Sequence, residues 1–456
     1  MPLSLSKINY KSFLINSLFS FIPISFIAGN LILNINILLF IIFTIAFYSK
    51  DIIASNFNNL DKIIIIFFAY TIFTGVLNNF YFKPETLPDD FTILIKSILY
   101  LRFLFFYFVI KFLILNNIIN FKSFFIISSL CTIFVSSDLI YQLNFGKDIF
   151  GYVSQDPRRL SGPFGENEFI AGSYLQRFSL FCLFLFPFFF KDSLKNFNLT
   201  LIIISFFTLI LFGLLIAGNR MPLILFLTLI IFMMFFHNKM RKLLLPFLFI
   251  SSVILITLLN FNSNIRDHLL AFKTRISETV EFVSTVIIKD KKNKFEENKE
   301  EIIEWYKYSI NVNGKVIPLT STYIKEFNSG YQTWLEHKYF GGGIKSFRYN
   351  CVTFNCNTHP HNYYLEILSE LGLFGFTLLI IIFFKVFYES FFKKYIKKAN
   401  FNYNYNQVII PFMFLFLIEI IPIKSTGSFF TTGNATYFFL IMSVTIALSN
   451  TSKGKI

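Results

Sequence analysis

Long uncharged apolar runs alternate with short polar connections along the chain. A helix rises 1.5 Å per residue and the hydrocarbon core of a bilayer is about 30 Å thick, so about 20 mostly apolar residues cross a membrane. The pattern therefore predicts an all-α polytopic membrane protein with about twelve transmembrane helices. A second apolar run follows the first at once, which favours a membrane helix over a cleaved signal peptide. The predicted spans are residues 13–29, 31–48, 61–80, 91–115, 124–143, 170–190, 199–217, 222–236, 243–259, 363–384, 408–423 and 431–448.

The composition agrees with this pattern. Hydrophobic residues make up 55% of the 456 residues and charged residues 15%, whereas soluble domains are about 45–50% apolar and about 25% charged. So little polar surface cannot cover a water-soluble globule of this size. The composition therefore excludes a soluble enzyme.

The net charge of +15 would suggest a nucleic-acid surface in a soluble protein. Here the basic residues lie in alternate connections between the predicted spans. If the N-terminus is cytoplasmic, the inside connections carry clusters such as Lys239, Arg241 and Lys242, whereas an outside one carries Asp89 and Asp90. The positive-inside rule then places both termini in the cytoplasm. We expect membrane lipid as a partner, and no nucleic acid.

Two outside segments, residues 144–169 and 260–361, are too polar to span the membrane. Long loops in compact proteins are usually functional. We therefore divide the chain into three parts. Residues 1–259 carry nine transmembrane helices, residues 260–361 form a large, mostly helical loop subdomain outside the membrane, and residues 362–456 carry three further helices and a cytoplasmic tail.

The four cysteines are too few for a disulfide scaffold. Cys131 and Cys182 lie in apolar runs and are typical small core residues. Cys351 and Cys356 lie near the end of the large outside loop, where an oxidising compartment would favour a local disulfide.

The densest group of polar residues, 358–375, begins where the large loop re-enters the membrane. We expect His361 at the outer rim, where an imidazole that titrates near neutrality can accept a proton from an attacking hydroxyl. Asn362 either contacts substrate or caps the following helix. Gly372 and Gly375 lie on one helix face and would allow a neighbouring helix to approach closely. The His-x-His pair has no Cys or Asp partner nearby and is a poor zinc signature, so we predict no metal site.

An arginine follows the short turn between the seventh and eighth predicted spans, in Gly218-Asn219-Arg220. Arg220 either anchors its helix at the membrane interface or binds a phosphate through its guanidinium fork. The turn alone does not decide between these two roles.

Several charged residues lie inside predicted spans, where a charge usually faces a partner or a water-filled cavity. We expect Lys96 and Arg177, which are nearer the outer side, to line a cavity for a lipid phosphate. Arg102 has a simpler explanation, an ion pair with Asp138. Glu419 also lies within a span.

Taken together, these segments resemble the O-antigen ligase and polymerase superfamily of bacterial envelope glycosyltransferases. His361-Asn362 followed by Gly372-x-x-Gly375 resembles that family's His-Asn/Ser/Gln…Gly-x-x-Gly signature, and Gly218-Asn219-Arg220 is similar to its small-x-Arg turn. Two weaker similarities complete the order along the chain: Arg159 to Asn167 resembles its Arg-x-x-Gly-x-Phe segment, with Glu166 and Glu168 in place of an expected Pro-Asn, and Trp334 with Phe340-Gly341-Gly342-Gly343 resembles the end of its large loop.

The resemblance implies a GT-C-like, metal-independent membrane enzyme without a cofactor, whose donor is an undecaprenyl-diphosphate-linked glycan. It implies that Arg220 binds the diphosphate and that His361 activates the acceptor hydroxyl. A second loop arginine would assist with the diphosphate; we select Arg275, with Arg266 and Arg348 as rivals. The residues expected to contact substrate are Arg159, Arg177, Lys96, Asn362, Trp334 and Arg348.

The predicted activity is inverting transfer of the glycan to a lipid A-core acceptor at the periplasmic face of the bacterial inner membrane, as in an O-antigen ligase. An alternative is a polymerase that adds repeat units to a growing glycan, because the resemblance implies the same residues for both. A polysaccharide flippase or other carrier is an alternative from a different class, although a carrier would place its key charges near mid-membrane.

Overall fold

The computed structural model describes residues 10–53, 57–82, 91–156, 159–189, 196–236, 238–261, 266, 270, 309–312, 315–318, 322–351, 357–396, 408–422, 424–425 and 427–450. Within these residues the chain is almost entirely helical. The helices and strands are α1 (Tyr10–Ile27), α2 (Asn30–Ile53), α3 (Asn59–Phe80), α4 (Thr92–Tyr100), α5 (Arg102–Leu115), α6 (Phe121–Phe145), α7 (Ala171–Phe189), α8 (Asn196–Ile216), α9 (Arg220–Phe236), α10 (Asn238–Phe261), β1 (Ser309–Val312), β2 (Lys315–Pro318), α11 (Thr322–Glu336), α12 (Phe347–Asn350), α13 (Tyr363–Phe387, continued by a π-helix, Tyr388–Ile396), α14 (Ile409–Glu419) and α15 (Thr432–Asn450).

Each predicted span coincides with a helix or, for residues 91–115, with the consecutive helices α4 and α5. Among the described residues, seven helical segments are long and apolar enough to cross a membrane, and four further apolar helices are shorter. The long segments are α1, α2, α3, the combined 92–115, α6, α13 with its continuation, and α15. The prediction of a polytopic helical membrane protein is confirmed, whereas the total of twelve spans and the GT-C-like arrangement remain predictions.

Helix α15 is buried from Ala435 to Leu448 and packs mainly against α5. Aromatic rings form much of the contact: the rings of Phe103 and Phe439 are stacked at 5.7 Å. Between membrane helices, association depends on close van der Waals packing rather than on the hydrophobic effect. Each such aromatic pair adds about 0.5–1.5 kcal/mol, so the many phenylalanines hold the bundle together.

The large loop is described only in part. Its described residues include the antiparallel hairpin of β1 and β2, in which Ile310 lies opposite Ile317, followed by α11. The hairpin departs from the predicted mostly helical loop; its β-branched residues Val316 and Ile317 favour a strand. Cys351 is disulfide-bonded and Cys131 and Cys182 are free and buried; the predicted partner of Cys351, Cys356, lies outside the described residues.

Helix α14 is shorter than the predicted span over residues 408–423. Its 11 residues span about 16 Å, and the described residues between α14 and α15 (420–422, 424–425 and 427–431) belong to no helix or strand. The helix covers only part of the predicted span over 408–423, and a membrane crossing there remains a prediction. Irregular backbone at membrane depth requires hydrogen-bond partners within the protein, and residues at the start of α13 supply them. Asn362 donates to the carbonyls of Pro422 (2.7 Å) and Lys424 (3.2 Å). Glu366 accepts from the Phe429 amide at 2.6 Å.

Helix α13 is interrupted at Gly372, whose φ is +64°. The glycine-rich loop after α11 lies against this break: Gly342 donates to the Ser369 carbonyl at 3.0 Å and Gly343 to the Glu370 carbonyl at 2.7 Å. A Cβ atom on Gly372 would lie 2.2 Å from the Tyr339 carbonyl oxygen. The segment that approaches Gly372 closely is therefore this loop, whereas a helix was predicted. Gly375 does face a helix, since its Cβ would meet the Tyr70 ring of α3 at 3.0 Å.

Candidate active site

His361 immediately precedes α13 and has a left-handed backbone conformation, with φ of +51°. A non-glycine residue in this region is uncommon and persists only where its surroundings hold it. Asn362 does so by capping α13: its Oδ1 accepts from the amides of Tyr364 (3.0 Å) and Leu365 (3.1 Å), while its amide holds the loop after α14. The structure thus shows the capping alternative for Asn362, and a substrate contact remains a prediction.

The nearest carboxylate contact described for His361 comes from α11. Glu326 Oε1 lies 3.5 Å from His361 Nε2, and Glu326 is 4% exposed. The same oxygen accepts a hydrogen bond from the Asn357 amide. Burial raises the pKa of Glu326, and the Asn357 hydrogen bond opposes this. No motif in the sequence indicated Glu326, because it lies 35 positions before His361 in a segment whose fold the sequence left open.

A second histidine lies beside His361. The ring centroids of His359 and His361 are 4.2 Å apart, and His359 Nδ1 is 2.9 Å from the Thr358 hydroxyl. Burial, and then the neighbouring His361 and Arg348, lower the pKa of His359 to about 4. His359 is therefore neutral at physiological pH.

A buried ionic network joins α7 to the chain after α14. The Arg177 guanidinium lies 3.2 Å from Glu419 Oε1 and donates to Asn434 at 2.8 Å. The Lys424 ammonium lies 3.1 Å from Glu419 Oε2, and the Tyr363 hydroxyl donates to Glu419 at 3.0 Å. Two cations share one carboxylate, so the network carries an excess positive charge. Lys424 is only 2% exposed.

The network borders a cavity of about 480 Å³. Its lining includes the apolar residues Phe26, Leu33 and Phe178. Its polar lining residues include Arg177, Lys424, Asn434, Glu168, Glu419 and His359. A cavity that combines apolar lining residues with buried cations suits a molecule with both a lipid chain and an anionic group.

The predicted Arg220 turn lies at this cavity. Arg220 is the first residue of α9 and is half-buried, and the next two residues, Met221 and Pro222, line the cavity. Gly218 has a φ of +69°, and Asn219 donates to the Phe169 carbonyl at 2.9 Å. The structure therefore brings the Arg220 turn, Arg177 and the histidine pair to one region, although each comes from a different part of the chain.

Two further predicted residues, Lys96 and Arg348, lie in a cluster with Lys345. The Lys96 ammonium is 5.4 Å from the centre of the Tyr349 ring. Burial lowers the pKa of Lys345, and the positive charges of Arg348 and Lys96 lower it further, against the influence of Glu370. The Glu370 carboxylate fixes this turn by accepting from the Lys345 amide at 2.6 Å.

The remaining predicted residues lie elsewhere or have structural contacts. Arg159 lies 3.9 Å from the Asp156 carboxylate, and the Trp334 indole donates to the Lys338 carbonyl at 3.1 Å. Arg275, predicted as the second diphosphate ligand, lies outside the described residues. The roles of all three in substrate binding remain predictions.

The predicted pair of Arg102 and Asp138 does not form. Arg102 donates to the Leu99 carbonyl at 3.0 Å and lies over the Phe103 ring. Asp138 instead accepts from the Ile149 amide at 2.7 Å. Each side chain has other partners, which spacing along the sequence could not reveal.

The fold and site together define a polytopic helical membrane protein with an amphipathic, cation-bearing cavity beside a histidine pair. Residues 205–380 match the family model described as O-Antigen ligase, a stretch that includes the Arg220 turn, His361 and the break at Gly372. This match supports the resemblance of the chain to the O-antigen ligase superfamily. A comparison with curated proteins gave no match.

Proposed function

We propose that this protein is a membrane glycosyltransferase that moves a glycan from an undecaprenyl-diphosphate carrier to an acceptor hydroxyl, as an O-antigen ligase acting on lipid A-core. The observation that carries the proposal is the shared position of the histidine pair and the cationic cavity. His359 lines the cavity, and its ring centroid is 4.2 Å from that of His361. A proton acceptor and an anion site are therefore neighbours, as this chemistry requires.

The cavity supplies a place for the donor. Its apolar lining residues would accommodate the beginning of the polyprenyl chain, and Arg177 and Lys424 would bind the diphosphate, with Arg220 beside them at the start of α9. Fixed cations that face a leaving diphosphate stabilise the negative charge that develops on it. The excess positive charge of the Arg177, Glu419 and Lys424 network provides this stabilisation within the protein.

His361 would act as the general base. It accepts the proton of the acceptor hydroxyl while the hydroxyl oxygen forms a bond to the anomeric carbon of the glycan. The bond between that carbon and the phosphate oxygen breaks, and its electron pair leaves with undecaprenyl diphosphate. Attack from the face opposite the leaving group inverts the anomeric configuration. We place this reaction at the periplasmic face of the bacterial inner membrane, with both termini in the cytoplasm.

The test replaces His361 and Arg220 with alanine in a strain that lacks the native gene and follows the lipopolysaccharide ladder on gels. Removal of a general base lowers a rate by about 10²–10⁴-fold, so His361→Ala should lose the glycan-capped bands while lipid-linked polymer accumulates. His337→Ala, a change of the same type on the segment after α11, serves as the control, with immunoblots for protein level.

Three outcomes separate the functions. Loss of every capped band with accumulated lipid-linked polymer supports the ligase. Caps that contain one repeat unit indicate the polymerase instead. Normal ladders from both His361→Ala and Arg220→Ala would contradict the proposed transferase altogether.

A further inference from the structure

Glu326 is buried beside the proposed base, yet neither its position in the sequence nor the family match assigns it a role. It projects from α11, and its Oε1 lies 3.5 Å from His361 Nε2 with 5% of the carboxylate side chain exposed. The other oxygen, Oε2, is buried without a hydrogen-bond partner among the described residues. A buried carboxylate that directs one oxygen at an imidazole is costly to maintain for packing alone.

We propose that Glu326 is the positioning residue of His361: it holds the protonated Nε2 and leaves Nδ1 as the nitrogen that accepts the proton of the acceptor hydroxyl. This inference rests on the proposed function. A carboxylate next to one ring nitrogen fixes the tautomer and orientation of an imidazole. In the step itself the hydroxyl proton moves to Nδ1, and Glu326 keeps its charge and stabilises the imidazolium.

The contact of 3.5 Å is long for a hydrogen bond, but it lies within the range of an ion pair. Catalytic contacts are often long in a site without substrate and shorten when substrate binds. The neighbouring groups support this assignment. Asn357 donates to Glu326 Oε1 and so fixes the carboxylate in place, while the backbone of His361 is held at φ +51° between Pro360 and the Asn362 cap.

The charges around His361 determine how this contact should respond to pH. Glu326 of α11 faces His361, and the His359 ring lies beside the His361 ring. The positive charge of Arg348, in α12, lowers the pKa of His359. His359 is neutral, so Glu326 is the anion that favours the imidazolium form of His361. Loss of that anion should make the base neutral, and thus active, down to a lower pH.

The test uses the purified full-length protein in lipid nanodiscs with an undecaprenyl-diphosphate-linked glycan and an acceptor glycolipid. Glu326→Gln keeps the shape of the side chain and removes its charge. We expect kcat to fall, by less than the loss from His361→Ala, with KM little changed. The acidic limb of the pH–rate profile should move to lower pH by about one unit or more. Glu326→Asp, which keeps the charge, should retain the original limb even if kcat falls.

Glu336→Gln is the matched control, because it makes the same change at an exposed position on the same helix. If His361→Ala is inactive while Glu326→Gln keeps the original kcat, the positioning role is wrong and the proposed function stands. A lower kcat with an unmoved acidic limb also contradicts the positioning role, since it is the result expected from a purely structural residue. If His361→Ala remains active, the proposed function and this inference fail together.

Discussion

The Arg177 guanidinium lies 3.2 Å from the Glu419 carboxylate, although 242 positions separate the two residues along the chain. The Arg177 side chain is 13% exposed and that of Glu419 is 2% exposed, and Glu419 also lies 3.1 Å from Lys424. This contact joins α7 to the end of α14, at the point where the chain leaves its helix and passes the candidate donor cavity. The geometry of the cavity therefore depends on an ion pair in the interior of the bundle.

Removal of Glu419 should destabilise the protein strongly. Glu419→Ala leaves two buried cations without their shared carboxylate, and loss of one partner of a buried pair costs about 3–5 kcal/mol. The thermal midpoint of the purified protein in detergent measures this. Glu389→Gln is the control, because its partner Lys393 is 60% exposed and exposed pairs contribute about 0–1 kcal/mol. Equal midpoints for Glu419→Ala and the control would show that the network does not stabilise the bundle.

An alanine at Gly372 should prevent normal folding. Its Cβ would lie 2.2 Å from the Tyr339 carbonyl oxygen, a backbone atom that cannot move aside like a flexible side chain. Gly146→Ala separates this overlap from backbone strain, since Gly146 also has a positive φ, +75°, but has no atom within 4 Å of a Cβ. The control should lose about 1–2 kcal/mol. Yields of folded protein on size-exclusion chromatography compare the two, and similar yields would contradict the steric argument.

The sequence predicted the helices well and the site contacts poorly, for one physical reason. Hydropathy is a local property, so the apolar segments of α1 to α10 and α13 to α15 could be located from the pattern of apolar residues alone. The partners of a charge are set by packing between distant segments. Arg102 was therefore assigned to the wrong partner, and no motif indicated Glu326.

The motif residues were more predictable from sequence than the site contacts and less predictable than the helices. His361 and the Arg220 turn could be selected from their patterns, and the structure brings their segments to the same region. The role of Gly372 was only half predictable: its spacing indicated close approach, but not that the approaching segment is the loop at 339–343. A helix break of this kind depends on hydrogen bonds from Gly342 and Gly343, which lie some 30 positions earlier in the chain.

Substitutions of Asn362 should distinguish its cap from its contacts with the loop after α14. Asn362→Ser keeps a cap acceptor and loses the donors to Pro422 and Lys424, whereas Asn362→Ala loses both functions. A cap contributes about 0.5–2 kcal/mol and each hydrogen bond about 0.5–1.5 kcal/mol. Thermal midpoints should therefore fall in the order Asn, Ser, Ala. An unchanged midpoint in Asn362→Ala together with lost glycan transfer would instead support the predicted substrate contact.

The stability of the protein should depend on pH through His359. Its pKa is 6.5 in an unfolded chain and about 4 in the folded protein, because burial and then His361 and Arg348 disfavour the imidazolium. The unfolded chain therefore binds a proton at a higher pH than the folded protein does. The stabilisation that this neutral imidazole gives is complete above pH 6.5 and is lost as the pH falls towards 4.

Thermal midpoints of the protein and of His359→Gln, recorded from pH 7 to pH 4, measure this effect. Glutamine does not titrate, so the variant should lose less of its midpoint over this range than the original protein. The two curves should run nearly parallel above pH 6.5 and diverge as the pH falls from 6.5 towards 4, where the unfolded chain binds a proton that the folded protein does not. Identical slopes at every pH would show that His359 becomes protonated without cost, which is incompatible with its burial between His361 and the cavity.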